Sequence, residues 1–263
     1  MTAILSVQGL EKTFGSVTAA RDISCDIPIG QTVGIIGANG AGKTTFVNMV
    51  TGHLAPSKGT IRFEGRDVTG LPSRTICRLG ISRSFQVAQI FPSLTVFENM
   101  CAARAIAKQD GKLLRGVMNA LRSKATVAES EEALALFGLT ASRDARASTL
   151  PQGLRKLLDI AMASAGAPRL LLLDEPTSGI SVEEKYQLMD TIMAALKSRG
   201  ITVLFVEHDM EIVQRFADRV LAFYDGTVIA DGPPDVALAD AKVREFVTGT
   251  QLHVRPSAGA AHA

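Results

Sequence analysis

Short runs of alternating or continuous apolar residues at Ile4–Val7, Ile23–Ile29 and Thr32–Ile36 predict β-strands, separated by turn residues such as Gly15-Ser16 and Pro28. After Ile36 a glycine-rich turn leads into a helical pattern from Lys43, and Gly59–Glu64 and Ile81–Phe85 predict further strands. From Leu94 to about Gly166 strand-like alternation almost disappears, and Leu113, Leu114, Val117, Met118 and Leu121 fall on one helical face. Strands and helices then alternate: Leu170–Leu173, a helix from Val182, Ile201–Val206, a helix from Met210 and Arg219–Tyr224, with Asp225-Gly226 as a hairpin turn. Such alternation predicts an α/β fold, a largely parallel sheet with helices on both faces. The helical stretch, about residues 87–166, becomes a sub-domain inserted between sheet strands. Residues 1–249 are expected to form the folded domain and the small, polar tail 250–263 to be disordered.

Composition narrows the class. The chain has 263 residues, 46% hydrophobic and 5% aromatic, with no Trp. Its 28 Lys+Arg against 26 Asp+Glu leave a formal net charge of +2. The balance argues against a strongly basic nucleic-acid binder, and the few aromatics against a base-stacking platform. Mean hydropathy is high at +0.19, yet the most apolar runs are far shorter than the roughly 18 residues a membrane span needs. No secretory signal opens the sequence. Cys25, Cys77 and Cys101 lack paired spacing, which disfavours a disulfide framework or zinc cage and suits a reducing cytosol.

Two motifs carry chemistry. Gly37-Ala38-Asn39-Gly40-Ala41-Gly42-Lys43-Thr44, followed by Thr45, fits G-x-x-x-x-G-K-[ST] between a predicted strand and a predicted helix. There the glycines let backbone N–H groups curl around phosphate oxygens, and the helix start adds a favourable dipole. Lys43 reaches the β- and γ-phosphates, and the Thr44 hydroxyl ligates Mg²⁺. The second motif is Leu170-Leu171-Leu172-Leu173-Asp174-Glu175-Pro176, a buried strand delivering carboxylates to its C-terminal edge. Asp174 suits contact with Mg²⁺, and Glu175 suits a base that polarises water. Alone, an apolar strand ending in Asp-Glu is more often ordinary helix capping; beside the phosphate loop, the functional reading prevails.

With these motifs in this order, the chain resembles the ATP-binding subunits of ABC transporters up to about Gly249. The resemblance implies a P-loop NTPase with an N-terminal antiparallel β sub-domain and an inserted helical sub-domain. It implies ATP and Mg²⁺ as ligands and ATP hydrolysis as the activity. Phe14, in Lys12-Thr13-Phe14-Gly15, sits where the family stacks an aromatic on adenine. Gln86, in Ser84-Phe85-Gln86, matches the loop glutamine that touches Mg²⁺ and reports to the membrane subunit. His208, in Val206-Glu207-His208-Asp209, matches the switch histidine that contacts the γ-phosphate. A lone His after a strand is ordinarily structural, and a Phe near a hairpin is often core. His208, however, ends the strand expected to flank that of Asp174.

Within the family, Leu94–Asn99, Val206–Met210 and Phe216–Val220 look most like the branched-chain amino-acid importers. The implied partners are transmembrane permease subunits, a second ABC ATPase subunit and, indirectly, a periplasmic solute-binding protein, with no nucleic acid. The implied location is the cytoplasmic face of the cell membrane. Export, for example lipopolysaccharide extraction, and a non-transport or regulatory ABC ATPase remain alternatives.

The pattern breaks at two places. Where the family carries Leu-Ser-Gly-Gly-Gln, this chain has Leu150-Pro151-Gln152-Gly153-Leu154. Pro151 removes a hydroxyl and an N–H, though proline is tolerated at a helix's first turn. Gln152 adds a bulky side chain where the resemblance places phosphate. After Gly179, Ile180-Ser181 replaces the family's Leu-Asp, while Ser181-Val182-Glu183-Glu184 still fits a capping box. A sound phosphate loop beside a poor signature predicts an asymmetric heterodimer; a homodimer remains possible. Finally, Arg104, Lys108, Lys112, Arg115, Arg122 and Lys124 form a basic run. It reads as a solvated helix face or as a surface facing anionic headgroups.

Overall fold

The computed structural model describes residues 2–84, 89–107 and 123–248. Its N-terminal layer is a four-stranded antiparallel sheet of β1 (Ala3–Phe14), β2 (Val17–Pro28), β4 (Lys58–Phe63) and β5 (Arg66–Asp67), in the order β2-β1-β4-β5. Leu5, Val7 and Leu10 from β1, Ile23 and Ile27 from β2, and Ile61 and Phe63 from β4 point inward to one apolar cluster. The apolar side of α1 (Lys43–Val50), with Phe46, Val47 and Val50, fills that cluster from the other layer.

The second sheet has the order β10-β9-β3-β8-β7-β6. Its strands β3 (Thr32–Gly37), β6 (Ile81–Arg83), β7 (Leu170–Asp174), β8 (Thr202–Val206) and β9 (Arg219–Tyr224) run parallel, and β10 (Thr227–Gly232) returns antiparallel to β9. The predicted apolar runs are continuous because both sheet faces are covered. Side-chain alternation sends Leu170 and Leu172 of β7 and Leu204 and Val206 of β8 toward the N-terminal layer. Leu171, Leu173, Val203 and Phe205 point the opposite way, into a second cluster. Each such side chain, fully buried, contributes about 2 kcal/mol of transfer free energy.

Helices supply the outer faces: α2 (Ser73–Leu79), α3 (Val96–Ala107), α4 (Lys124–Leu136), α5 (Gln152–Ala163), α6 (Val182–Ser198) and α7 (Met210–Phe216). Between β6 and β7 the described residues contain helices and turns, with a single isolated bridge between Thr95 and Arg146. The helical face expected around Leu113–Leu121 and the tail 250–263 lie outside the described residues. Arg104 departs from its sequence reading. It is buried and paired to Glu129 at 3.0 Å, so it belongs to the α3–α4 packing and not to a solvated basic face. Of the rest of that run, Lys124 is exposed, and Lys108, Lys112, Arg115 and Arg122 lie outside the described residues.

The Asp225–Gly226 turn joins the layers. Both residues have positive φ, 45° and 75°, as a tight hairpin of this twist requires. The Gly226 N–H donates to Ala41 O (3.1 Å), and Gly226 O accepts from Arg21 N–H (2.8 Å). Among the described residues no helix is long and apolar enough to cross a membrane.

Candidate functional site

Parallel packing brings the C-terminal ends of β3, β7 and β8 to one edge of the sheet, where open α/β folds place ligands. From β3 the chain turns through Ala38, Asn39 and Gly40, all exposed, into α1. Gly42 sits at the helix start with φ 100°, and a Cβ there would lie 2.7 Å from Ala19 O. Only glycine fits that approach. No side chain caps α1. The first-turn N–H groups of Lys43, Thr44 and Thr45 thus have no acceptor within the helix, which makes the helix start suited to an anion.

Lys43 is buried, and its ammonium curls back to donate to Gly37 O (2.6 Å) and Ala38 O (2.9 Å). Burial pushes its pKa down, while the charges of Glu175 and Asp174 pull it back up. A cation held over the loop and facing two carboxylates is placed to meet phosphate charge. The exposed Thr44 opens the same turn.

Asp174 closes β7. Its Oδ2 accepts from Arg83 Nη2 at 2.5 Å, and Arg83 Nη1 donates to Asn48 Oδ1 at 2.6 Å. Arg83 ends β6 and Asn48 lies on α1, so this pair ties the acidic strand to the phosphate-loop helix. Neither residue stands out in the sequence, since Arg83 closes a strand of only three residues, Ile81-Ser82-Arg83.

Glu175 follows with φ 48°, a left-handed conformation uncommon for a residue with a Cβ. It persists because its surroundings over-determine it. Its N–H donates to Val206 O (3.0 Å), and its carbonyl accepts from both Ser178 N–H (3.1 Å) and Lys156 Nζ (2.6 Å). Its side-chain Oε1 lies 3.0 Å from His208 Nε2. Burial lowers the pKa of Lys156, opposed by the charges of Glu207, Glu175, Asp159 and Asp174.

Behind the histidine, Glu207 is buried. Its Oε1 accepts from Thr177 N–H (2.9 Å) and Thr177 Oγ1 (2.7 Å), and its Oε2 from His208 N–H (3.2 Å). One carboxylate therefore binds the loop after Glu175 to the loop after β8. Lys156 and Glu207, like Arg83 and Asn48, are neighbours of the site that the sequence does not reveal.

The other expected residues sort as follows. Phe14 ends β1 and is exposed, with Lys12 Nζ over its ring at 5.2 Å from the centroid, so it is a surface aromatic and not core. Gln86 lies outside the described residues. The helix expected after Pro151 forms as α5, with Pro151 at its cap position. Gln152 is exposed at the start of α5, and its Nε2 donates to Ser178 O (3.3 Å). Ser181 caps α6, accepting from Glu184 N–H (3.4 Å).

The donor set fits a magnesium nucleotide. Thr44 Oγ1 and the remaining Asp174 oxygen are hard oxygen donors, as Mg²⁺ requires. Among the described residues no group of three His, Cys, Asp or Glu could hold a metal ion alone.

Comparison with known proteins gives the family and the fold. The model of the ABC transporter family matches residues 20–178. The chain is 34% identical over 236 residues to the high-affinity branched-chain amino acid transport ATP-binding protein LivG of Salmonella typhimurium, covering 88% of this chain and 92% of that protein. It is equally similar, 34% over 236 residues with the same coverage, to BraF of Pseudomonas aeruginosa, which carries the same description. A crystal structure of the ADP conformation of an ATP-binding cassette from an ABC transporter superposes with a TM-score of 0.82 at 29% identity. That likeness covers 93% of this chain and 98% of the other.

Proposed function

This chain belongs to the ABC transporter family, and on that premise we propose that it is the ATP-hydrolysing subunit of an importer for branched-chain amino acids. The observation that carries the reading is the meeting of Lys43, Asp174, Glu175 and His208 at one sheet edge, with Glu175 and His208 joined at 3.0 Å. The relatives' cargo supports the choice of solute.

In this reading the loop Gly37–Thr45 and the Lys43 ammonium hold the β- and γ-phosphates of ATP, and Phe14 stacks on the adenine. Thr44, Asp174 and Gln86 would hold Mg²⁺, and its charge would offset that of the phosphates. Glu175 takes the proton of the attacking water as its oxygen bonds to the γ-phosphorus and the bond to ADP breaks. His208 orients Glu175 and meets the γ-phosphate. The products are ADP and inorganic phosphate.

The subunit works at the cytoplasmic face of the cell membrane beneath permease subunits, which receive solute from a periplasmic binding protein. Pro151 and Gln152 weaken the signature of this chain, so its productive partner is a second ATPase subunit with a full signature. ATP hydrolysis is measured for the purified chain alone and in the assembled transporter with permeases and second subunit. Hydrolysis that is low alone, rises on assembly and is stimulated by loaded binding protein supports the proposal. Full activity alone overturns the heterodimer, and no hydrolysis in either form overturns the ATPase reading.

A further inference from the structure

Gln152 and Lys156 stand four residues apart on α5, one turn along the same helix face. Both reach the loop that follows β7. Lys156 Nζ donates to Glu175 O (2.6 Å), and Gln152 Nε2 donates to Ser178 O (3.3 Å). Ser178 N–H closes the turn by donating to the same Glu175 carbonyl (3.1 Å). The helix therefore grips both ends of one tight turn through its backbone oxygens.

Two details show how closely the pieces fit. Glu175 holds a left-handed φ of 48°, a conformation costing about 1 kcal/mol or more unless its neighbours fix it. Gly179, at φ 74°, lies directly against the Gln152 amide, and a Cβ there would come within 2.3 Å of Nε2. Lys156 is itself buried, so its ammonium has been brought out of water to meet this carbonyl.

We infer that Gln152 and Lys156 are positioning residues: together they hold the Glu175 peptide so that its carboxylate faces the γ-phosphate side of the site. The inference rests on the reading of Glu175 as the base. It gives Gln152, a departure from the family's signature, a task within its own chain. It also makes the start of α5 mechanically continuous with the base, because whatever shifts that helix shifts the Glu175 carbonyl.

The experiment is steady-state ATP hydrolysis by the assembled transporter for the wild type, Glu175→Gln, Lys156→Met, Lys156→Arg and Gln152→Ala, with nucleotide affinity measured in parallel. A misplacement of about 1 Å at a reacting group costs up to about a hundredfold in rate. Lys156→Met is thus expected to lower kcat by about tenfold with KM and ATP affinity unchanged, and Lys156→Arg, which keeps a cationic donor, to restore most of it. In a Glu175→Gln background Lys156→Met is expected to have no further effect, whereas a merely structural role would lower the residual rate again. Should Lys156→Met fail to fold, Gln152→Ala at its exposed position carries the test, with an expected threefold or so fall in kcat alone. Wild-type kcat in the folded variants overturns the inference. Unchanged hydrolysis in Glu175→Gln instead overturns the assignment of the base.

Discussion

His208 Nε2 and Glu175 Oε1 lie 3.0 Å apart at the ends of two neighbouring parallel strands, β8 and β7. The register that pairs Asp174 with Val206 sets this distance, because each residue follows its strand end by one or two positions. Strand pairing thus brings the two side chains together. The direction of the hydrogen bond between them is set by the imidazole tautomer.

This contact has a measurable consequence. Glu175→Gln is expected to keep ATP binding while kcat falls by about a hundredfold or more. His208→Ala is expected to lower kcat as well. The double variant is expected to lose much less than the product of the two, since residues in contact do not act independently. A double-mutant cycle on single-turnover rates tests this, and full additivity would separate the two roles.

Lys43→Ala is expected to weaken ATP binding by about tenfold or more, the scale of a charge-assisted contact. The substitution also removes two hydrogen bonds that the ammonium makes to Gly37 O and Ala38 O. Titration calorimetry with and without Mg²⁺ measures the loss. Unchanged affinity would remove Lys43 from the phosphate contacts.

Glu207 makes three hydrogen bonds from a buried position, two to Thr177 and one to His208. Glu207→Ala leaves the buried Thr177 donors without an acceptor and is expected to cost about 2 kcal/mol in unfolding free energy. Glu207→Gln retains one acceptor oxygen and is expected to cost less. Urea denaturation followed by circular dichroism resolves the two, and equal stabilities for all three proteins would show that the carboxylate holds nothing.

The three cysteines differ in accessibility. Burial, reinforced by the charge of Asp231, pushes the Cys25 thiol up to about 12, and burial also raises that of Cys101. Thiolate is the reactive form, so neither is expected to react near neutral pH. Maleimide treatment of the native protein is expected to modify Cys77 alone, read by peptide mass mapping. Modification of Cys25 before Cys77 would contradict the packing of β2.

The phosphate loop and the acidic strand were legible because their chemistry is local: fixed spacing in one case, an apolar run ending in acid in the other. Leu170–Leu173 read correctly as a strand because the sheet is covered on both faces. The sequence pattern predicts the first strand only over Ile4–Val7, whereas β1 runs from Ala3 to Phe14. Its pairing with β2 shifts register repeatedly after Val7, which breaks the alternation a sequence reader relies on. Helix α2 left no periodic stripe because Ile76 is its only buried residue. Lys156, Glu207 and Arg83 were illegible for another reason. Each is a charge whose partner lies on an element distant in sequence, and only docking of helix on strand creates the pair. Arg104 misled in the opposite direction, joining a basic run by composition while packing against Glu129.

Hairpin tips are ordinarily the sites at which a chain accepts inserted peptides or new termini. The Asp225–Gly226 tip is an exception, since its backbone is committed on one side to Ala41 and on the other to Arg21. An epitope or fluorophore-binding peptide grafted there would pull on the phosphate loop from a point far along the chain. Protein engineering of this subunit is better directed to the exposed turn at Gly65, with the glycine itself kept: its φ of 78° strains any side chain, although the space around it is open.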